Sequence, residues 1–234
     1  MLSEKEKQQL IILRQLHKSD IPLGSGMLKD AIRSEGMELS EATVGRLLRD
    51  LDLQGFTLRI GFQGRTLTTV GSEYLEQLER DYQRSFYGSE LIKSLNTRRK
   101  QDLIDILIAR RAVEGEIARL AAKNASDNEV DKMRSIVQKQ AELINAGESG
   151  VQQDSEFHTL LAKAGQNHVL YTVLDLIRRE GSFSPVIERI RNQMRGSMVK
   201  DHLEILVAIQ SRDPEQAYQA MVNHIEGLIQ DVEH

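Results

Sequence analysis

The chain has 234 residues, 31 Lys and Arg against 35 Asp and Glu, and no cysteine. That length suits two modest domains, each able to bury a core without covalent staples. The missing cysteines exclude disulfides and thiolate metal sites, so any metal has to sit on His, Asp, Glu or water. Nor does the charge announce nucleic-acid binding, because residues 1–90 and the remainder each balance to −2 (12 basic against 14 acidic, then 19 against 21); a DNA-binding face has to come from local placement of charge.

The N-terminal MLSEKEKQQL is charged and lacks the apolar core of a signal peptide. No stretch approaches the run of about 20 apolar residues that spans a membrane, so a cytoplasmic location is expected. Only 3 prolines and no tryptophan occur, and the abundance of Leu, Ile, Ala, Glu, Gln and Arg favours helix.

Lys5 to Lys18 forms the first expected helix, with Leu10, Ile11, Leu13 and Leu16 on one face; Asp20-Ile21-Pro22-Leu23-Gly24 breaks it. A second helix is expected over Ser25 to Ser34, with Met27, Leu28, Ala31 and Ile32 inward and Gly36 closing it. Ser40 is placed to cap a third, which turns Val44, Leu47, Leu48 and Leu51 inward and ends at Gln54-Gly55. Two short helices joined by a brief turn form a helix-turn-helix, and Ser40, Glu41, Thr43, Arg46 and Arg49 lie where such a helix meets bases and phosphates in the major groove. Two β-prone runs around Gly61-Phe62-Gln63-Gly64 then read as a hairpin, a wing with Arg59 and Arg65 flanking its tip. Protein docking is the plainer use of such a module; the placement of the arginines favours DNA.

The segment from Ile21 to Leu75, with its Leu39-Ser40-x-x-Thr43-Val44 helix start, the run Leu48-Arg49-Asp50-Leu51-Asp52-x-x-Gly55 and the closing Thr68-x-x-Gly71, resembles the winged helix at the N-terminus of ribonuclease R and of archaeal nitrogen-regulation repressors. The resemblance covers about residues 8–78. The arginine-rich recognition helix and Pro-Gly turn of the usual GntR-type DNA-binding domain are not present.

Ser72 to Tyr87 is expected to be a charged helix leading out of this module, with Gly88-Ser89 as a break and Asn96-Thr97-Arg98-Arg99-Lys100 as a basic, solvated cluster. From Gln101 onward helical periodicity dominates, with helices expected at 101–123, 127–146, 151–165, 168–192, 198–211 and 214–232. Asp213 with Pro214 starts the last. The fold class is therefore mainly α: an N-terminal winged helix-turn-helix followed by an all-helical antiparallel bundle. The expected boundaries are 1–78 for the winged helix, 79–98 for a helical linker and 99–234 for a metal- and effector-binding domain.

Asp154 and His158 stand four apart on one expected helix, hence on one face and within about 6 Å. His202 and His224 lie near the apolar stripes of two others. Three imidazoles and one carboxylate on three helices can converge on Zn²⁺, Ni²⁺, Mn²⁺ or Fe²⁺, although a histidine near an apolar face is more often a core residue.

Ala109–Ala122 (ARRAVEGEIARLAA), Asp154–Leu170 (DSEFHTLLAKAGQNHVL) and Lys200–Ile225 (KDHLEILVAIQSRDPEQAYQAMVNHI) resemble the FadR C-terminal ligand-binding (FCD) domain of GntR-family regulators, over about residues 90–232. The resemblance implies that Asp154, His158, His202 and His224 hold a divalent transition metal such as Zn or Ni. Asp201 stands where that family usually has Glu, and His168 is outside its ligand pattern. It also implies a small organic-acid effector, with Arg110 able to clamp its carboxylate. An ion pair of Arg110 with Glu114, one turn along, fits the spacing equally, and Arg195 reads as solvated surface. The expected function is a homodimeric regulator of transcription, not an enzyme, that binds double-stranded DNA under control of the effector, with the helix through Tyr82, Phe86 and Leu91 carrying the signal. The alternatives are a regulator that senses the ion itself and a metal-dependent hydrolase.

Overall fold

The structure is a computed structural model that describes residues 2–96, 99–181 and 195–233, the side chains of 180, 181 and 195–197 excepted. In chain order it contains α1 (Glu4–Lys18), α2 (Ser25–Ser34), α3 (Glu41–Leu53), β1 (Thr57–Ile60), β2 (Gly64–Leu67), α4 (Thr69–Leu95), α5 (Lys100–Asn124), α6 (Asp127–Asn145), α7 (Val151–Ala164), α8 (His168–Gly181), α9 (Arg195–Gln210) and α10 (Pro214–Glu233). Two compact units divide the chain between Glu90 and Leu91, a point inside α4.

The first unit is a winged helix. A capping box starts α1: Ser3 Oγ accepts from the Glu6 N–H, and the Glu6 carboxylate accepts from the Ser3 N–H. In the run Leu10-Ile11-Ile12-Leu13, the core takes Ile12 rather than the expected Ile11, which is only partly buried. Four consecutive apolar residues leave the phase of a helix open, and packing against α2 and β2 settles it. In α2, Leu28 and Ile32 are buried while Met27 is exposed, against expectation. In α3, Val44, Leu47, Leu48 and Leu51 all face inward as their spacing dictates.

The wing is an antiparallel pair with Thr57 opposite Leu67 and Ile60 opposite Gly64. Leu23 extends it on the other side of β2, exchanging backbone hydrogen bonds of 3.0 Å in both directions with Arg65. The close approach explains Gly64: its φ is +136°, and a Cβ there would lie 2.4 Å from the Leu23 carbonyl carbon. The break expected at Gly88-Ser89 does not form, and α4 runs through it to Leu95. One interior glycine costs a helix only about 1 kcal/mol, which the neighbouring turns absorb.

The second unit is helical. Along α5 pack α10, α7, α8 and α9, and α6 packs on α7 and α9. Ser126 and Glu129 form a capping box at α6. Asp213 Oδ1 accepts from the N–H groups of Glu215 and Gln216 at 3.1 and 3.0 Å, with Pro214 first in α10. The core is built around Phe157, Ile117, Met133, Leu161 and Ile205, all essentially inaccessible. Observed helices of this unit follow the expected spans closely; the part of the helix expected at 168–192 that lies beyond 181 is outside the described residues, as are Thr97 and Arg98 of the basic cluster and the side chain of Arg195. No helix among the described residues is long and apolar enough to cross a membrane.

Candidate metal centre

Burial of the α7 apolar stripe, Phe157 and Leu161, carries Asp154 and His158 into the second unit's core. The same logic brings in His202 between Met198 and Ile205 on α9, and His224 between Met221 and Ile225 on α10. All four are 3% exposed or less. Each offers one ligand atom, and these atoms all lie within 4.8 Å of one another.

The three rings are 5.0 to 5.4 Å apart between centroids. Their Nε2 atoms have no hydrogen-bond partner among the described residues. Those of His158 and His202 stand 3.5 and 3.6 Å from Asp154 Oδ1, too far for a hydrogen bond. Each Nδ1 faces an acceptor on the outer side, hydrogen-bonded to it in His202 and His224 and in close ion-pair contact in His158. His158 Nδ1 lies against Glu114 Oε2. That of His202 is 2.8 Å from Gln140 Oε1, and that of His224 is 3.1 Å from Asp201 Oδ2. Outer acceptors that hold Nδ1–H and turn Nε2 toward a shared point are the arrangement that supports histidine as a metal ligand.

Electrostatics agree with that use. Burial, and then the neighbouring His224 and His158, hold the His202 imidazole well below its ordinary pKa. Burial likewise lowers His224, against the opposing hydrogen bond that its ring donates to Asp201. Both rings are thus kept neutral, the form that can donate a lone pair to a cation. Burial pushes the Glu114 carboxyl up, but Arg110, His158 and Arg178 outweigh it and hold Glu114 well below the usual range. Three buried imidazoles with unsatisfied nitrogens beside one carboxylate fit a divalent transition metal.

Arg110 Nε donates to Glu114 Oε1 at 2.6 Å, with both side chains buried. The ion pair considered from the sequence is therefore present. His168 is exposed on α8 and stacks near Tyr171, away from the cluster.

In the first unit, Ser40 caps α3: its Oγ accepts from the Thr43 N–H at 3.2 Å and shares a hydrogen bond with Thr43 Oγ1. Arg46 Nη2 donates to the same Thr43 hydroxyl at 3.2 Å. Arg46 and Arg49 are exposed and in no ion pair among the described residues. Arg65 is placed differently from these. Its guanidinium folds onto Asp52 at 2.9 Å with only 14% of the side chain exposed, beside the Thr57 hydroxyl that shares Asp52. Arg59 stays exposed and donates to Gly61 O near the wing tip.

Sequence reasoning missed four contributors: Gln140, Asp201 and Glu114 as outer acceptors, and Arg178, whose Nη2 donates to Asp154 Oδ2 at 2.7 Å. One signal was available for Gln140. It falls in helical phase with Val130, Met133 and Val137, so a polar side chain occupies an apolar stripe.

Residues 105–227 match the FCD domain, and residues 10–75 match the ribonuclease R winged-helix domain. The chain is 28% identical over 129 residues to the Uxu operon regulator of Haemophilus influenzae, covering 53% of this chain and 48% of that protein. It is 39% identical over 66 residues to the global nitrogen regulator NrpRI of Methanosarcina mazei, covering 28% of this chain and 20% of that protein. The chain thus spans about half or less of the length of these relatives. A solved structure, E. coli McbR/YncC, superposes with a TM-score of 0.51 at 14% identity, covering 100% of this chain and 98% of the other, a likeness of fold. With more than half its residues inside that match, the chain belongs to the FCD-domain family, as a GntR-type protein whose FCD domain follows a winged helix of the ribonuclease R kind.

Proposed function

We propose that this protein is a DNA-binding transcription regulator whose operator affinity is set by a small carboxylate at a metal site in its second unit. The observation that carries the reading is the set of three buried imidazoles whose Nε2 atoms lack partners and gather at Asp154. Asp154, His158, His202 and His224 would hold the ion, of the Zn or Ni class. When bound, such an ion supplies a positive centre that a carboxylate or hydroxy acid can join in place of water. Arg110 is assigned the effector's carboxylate; its Nε already serves Glu114, so the clamp would use the Nη atoms. Relatives named as operon and nitrogen regulators support the transcriptional role.

Ser40, Thr43, Arg46, Arg49 and Arg65 are assigned to the DNA face. The hydrogen-bonded chain from Ser40 through Thr43 to Arg46 fixes one arginine at the start of α3, where a recognition helix meets base edges. Arg65 would reach phosphate from its Asp52 anchor. A homodimer in the cytoplasm, reading two half-sites, completes the proposal, with α4 through Tyr82, Phe86 and Leu91 as the element whose equilibrium the effector biases.

The test selects duplexes from a random pool with the zinc-loaded full chain and measures affinity by fluorescence anisotropy. Arg46→Ala, Arg49→Ala and Arg65→Ala are each expected to weaken binding, by about 1–3 kcal/mol where a base edge is read. Addition of small carboxylates is expected to shift wild-type affinity and to leave His202→Ala unmoved. Unchanged affinity in all three arginine variants would sink the DNA assignment. A shift on titrating metal alone, with every carboxylate silent, would make the ion itself the signal.

A further inference from the structure

The side chain of Gln140 reaches in two directions from α6. Its Oε1 meets His202 Nδ1 on α9 at 2.8 Å, and its Nε2 meets the Gly150 carbonyl at 3.3 Å. Gly150 is the residue that opens α7, and its carbonyl also accepts the N–H of Asp154 at 3.0 Å. Gln140 is fully buried, so no water exchanges for these partners without cost.

The donor and acceptor roles here are forced. A backbone carbonyl can only accept, so the Gln140 atom facing Gly150 has to be the amide NH₂. The oxygen therefore faces His202 and can only accept. His202 must then carry its proton on Nδ1, which leaves the Nε2 lone pair toward Asp154, His158 and His224. We infer that Gln140 is a positioning residue for the metal centre: through it, the Gly150 carbonyl dictates the tautomer and orientation of His202. The inference rests on the metal-site reading above.

The same strut explains why residue 150 is glycine. Its φ of −96° and ψ of 13° suit any residue, so backbone freedom is not the reason. Space is: a Cβ at 150 would lie 2.9 Å from Gln140 Cγ and 3.2 Å from Ile144 Cδ1. A methyl group there has to push Gln140 away from the line between Gly150 and His202. A residue that touches no ligand thus controls how one ligand is presented.

Among the outer acceptors, Gln140 is the neutral one, the others being the carboxylates of Glu114 and Asp201. Replacing it by Glu keeps an acceptor for the His202 Nδ1–H and sets a carboxylate oxygen against the Gly150 carbonyl. The two halves of the strut can therefore be separated by substitution.

The experiment uses the full chain and three variants, Gln140→Ala, Gln140→Glu and Gly150→Ala. Zn²⁺ affinity is measured by competition with a chromogenic chelator, and melting temperature is measured with and without zinc. The His202 tautomer is read by long-range ¹H–¹⁵N correlation in the zinc-free protein. Gln140→Ala and Gly150→Ala are expected to lower zinc affinity about tenfold, the scale of outer-partner losses at metal sites, and to lose the pure Nδ1–H tautomer. Gln140→Glu is expected to keep wild-type affinity and tautomer while its zinc-free form melts lower. A purely structural role for Gln140 would lower melting in all three without this split. Unchanged affinity and an unchanged tautomer in Gln140→Ala would overturn the inference. If wild type binds no zinc, the metal reading fails, and the tautomer alone still decides whether the strut acts on His202.

Discussion

Among the described residues, the first unit buries two polar side chains, Gln9 and Thr57, within a core of Leu, Ile and Val. The second buries Arg110, Glu114, Gln140, Gln153 and the whole Asp154, His158, His202, His224 set. Apolar burial alone accounts for the first core, which needs nothing from outside the chain. The second encloses ionisable groups whose desolvation costs free energy unless each is paired, and four imidazole nitrogens, Nε2 of His158, His202 and His224 and Nδ1 of His158, have no hydrogen-bond partner among the described residues. The first unit is built for stability, and under the proposed metal reading the second would gain part of its stability only when a cation supplies the missing interactions.

Metal removal should break this contrast most visibly. At free zinc about a thousandfold above the dissociation constant, loading stabilises the second unit by about 4 kcal/mol. Chelation should lower amide-exchange protection in α7, α9 and α10 and leave α1 to α3 unchanged, and His224→Ala should abolish the difference. Equal loss of protection in both units would refute the contrast. Leu48→Ala is the mirror experiment. Leu48 is inaccessible in the first core, so the change should cost about 3 kcal/mol there, read as lower exchange protection in α3 with zinc affinity intact.

Acid sharpens the comparison with a smaller effect. Both His202 and His224 have folded pKa values below the ordinary 6.5. As pH falls through 6.5 the unfolded chain takes up protons that the fold refuses, so zinc-free stability is full above 6.5 and declines below it. The slope is about 1.4 kcal/mol per pH unit for each imidazole kept neutral. In the first unit the lowered groups are carboxylates: Glu6, by its hydrogen bond from Ser3, and Glu79, by that from Arg14. Their contribution is present above 4.5 and lost only as pH falls below it. Between pH 7 and 5, exchange protection should therefore decline in the second unit and hold in the first.

Much of this architecture is legible in the sequence, for reasons of spacing. Helix starts at Ser40 and Asp213 announce themselves through capping residues, and Asp154 with His158 through a four-residue interval on one face. The Ile11 and Ile12 ambiguity shows where period fails, in an unbroken apolar run. Outer partners were harder to see because Glu114, Gln140 and Asp201 sit on α5, α6 and α9, apart in sequence from the rings they serve. No interval within one helix encodes a contact between helices. Arg65 illustrates another limit: the sequence places it on the wing, but capture by Asp52 depends on how the hairpin folds back on α3.

The four clustered side chains come from α7, α9 and α10, stretches far apart along a chain that has no cysteine. An ion shared by them would fasten those stretches together and close long loops, the work a disulfide does in a secreted protein. Unlike a disulfide, this fastening is reversible and follows the supply of free ion. Resistance to cellular proteases, which track the population of open forms, would then rise and fall with metal supply, so that the amount of protein in the cell reports metal status before any effector arrives.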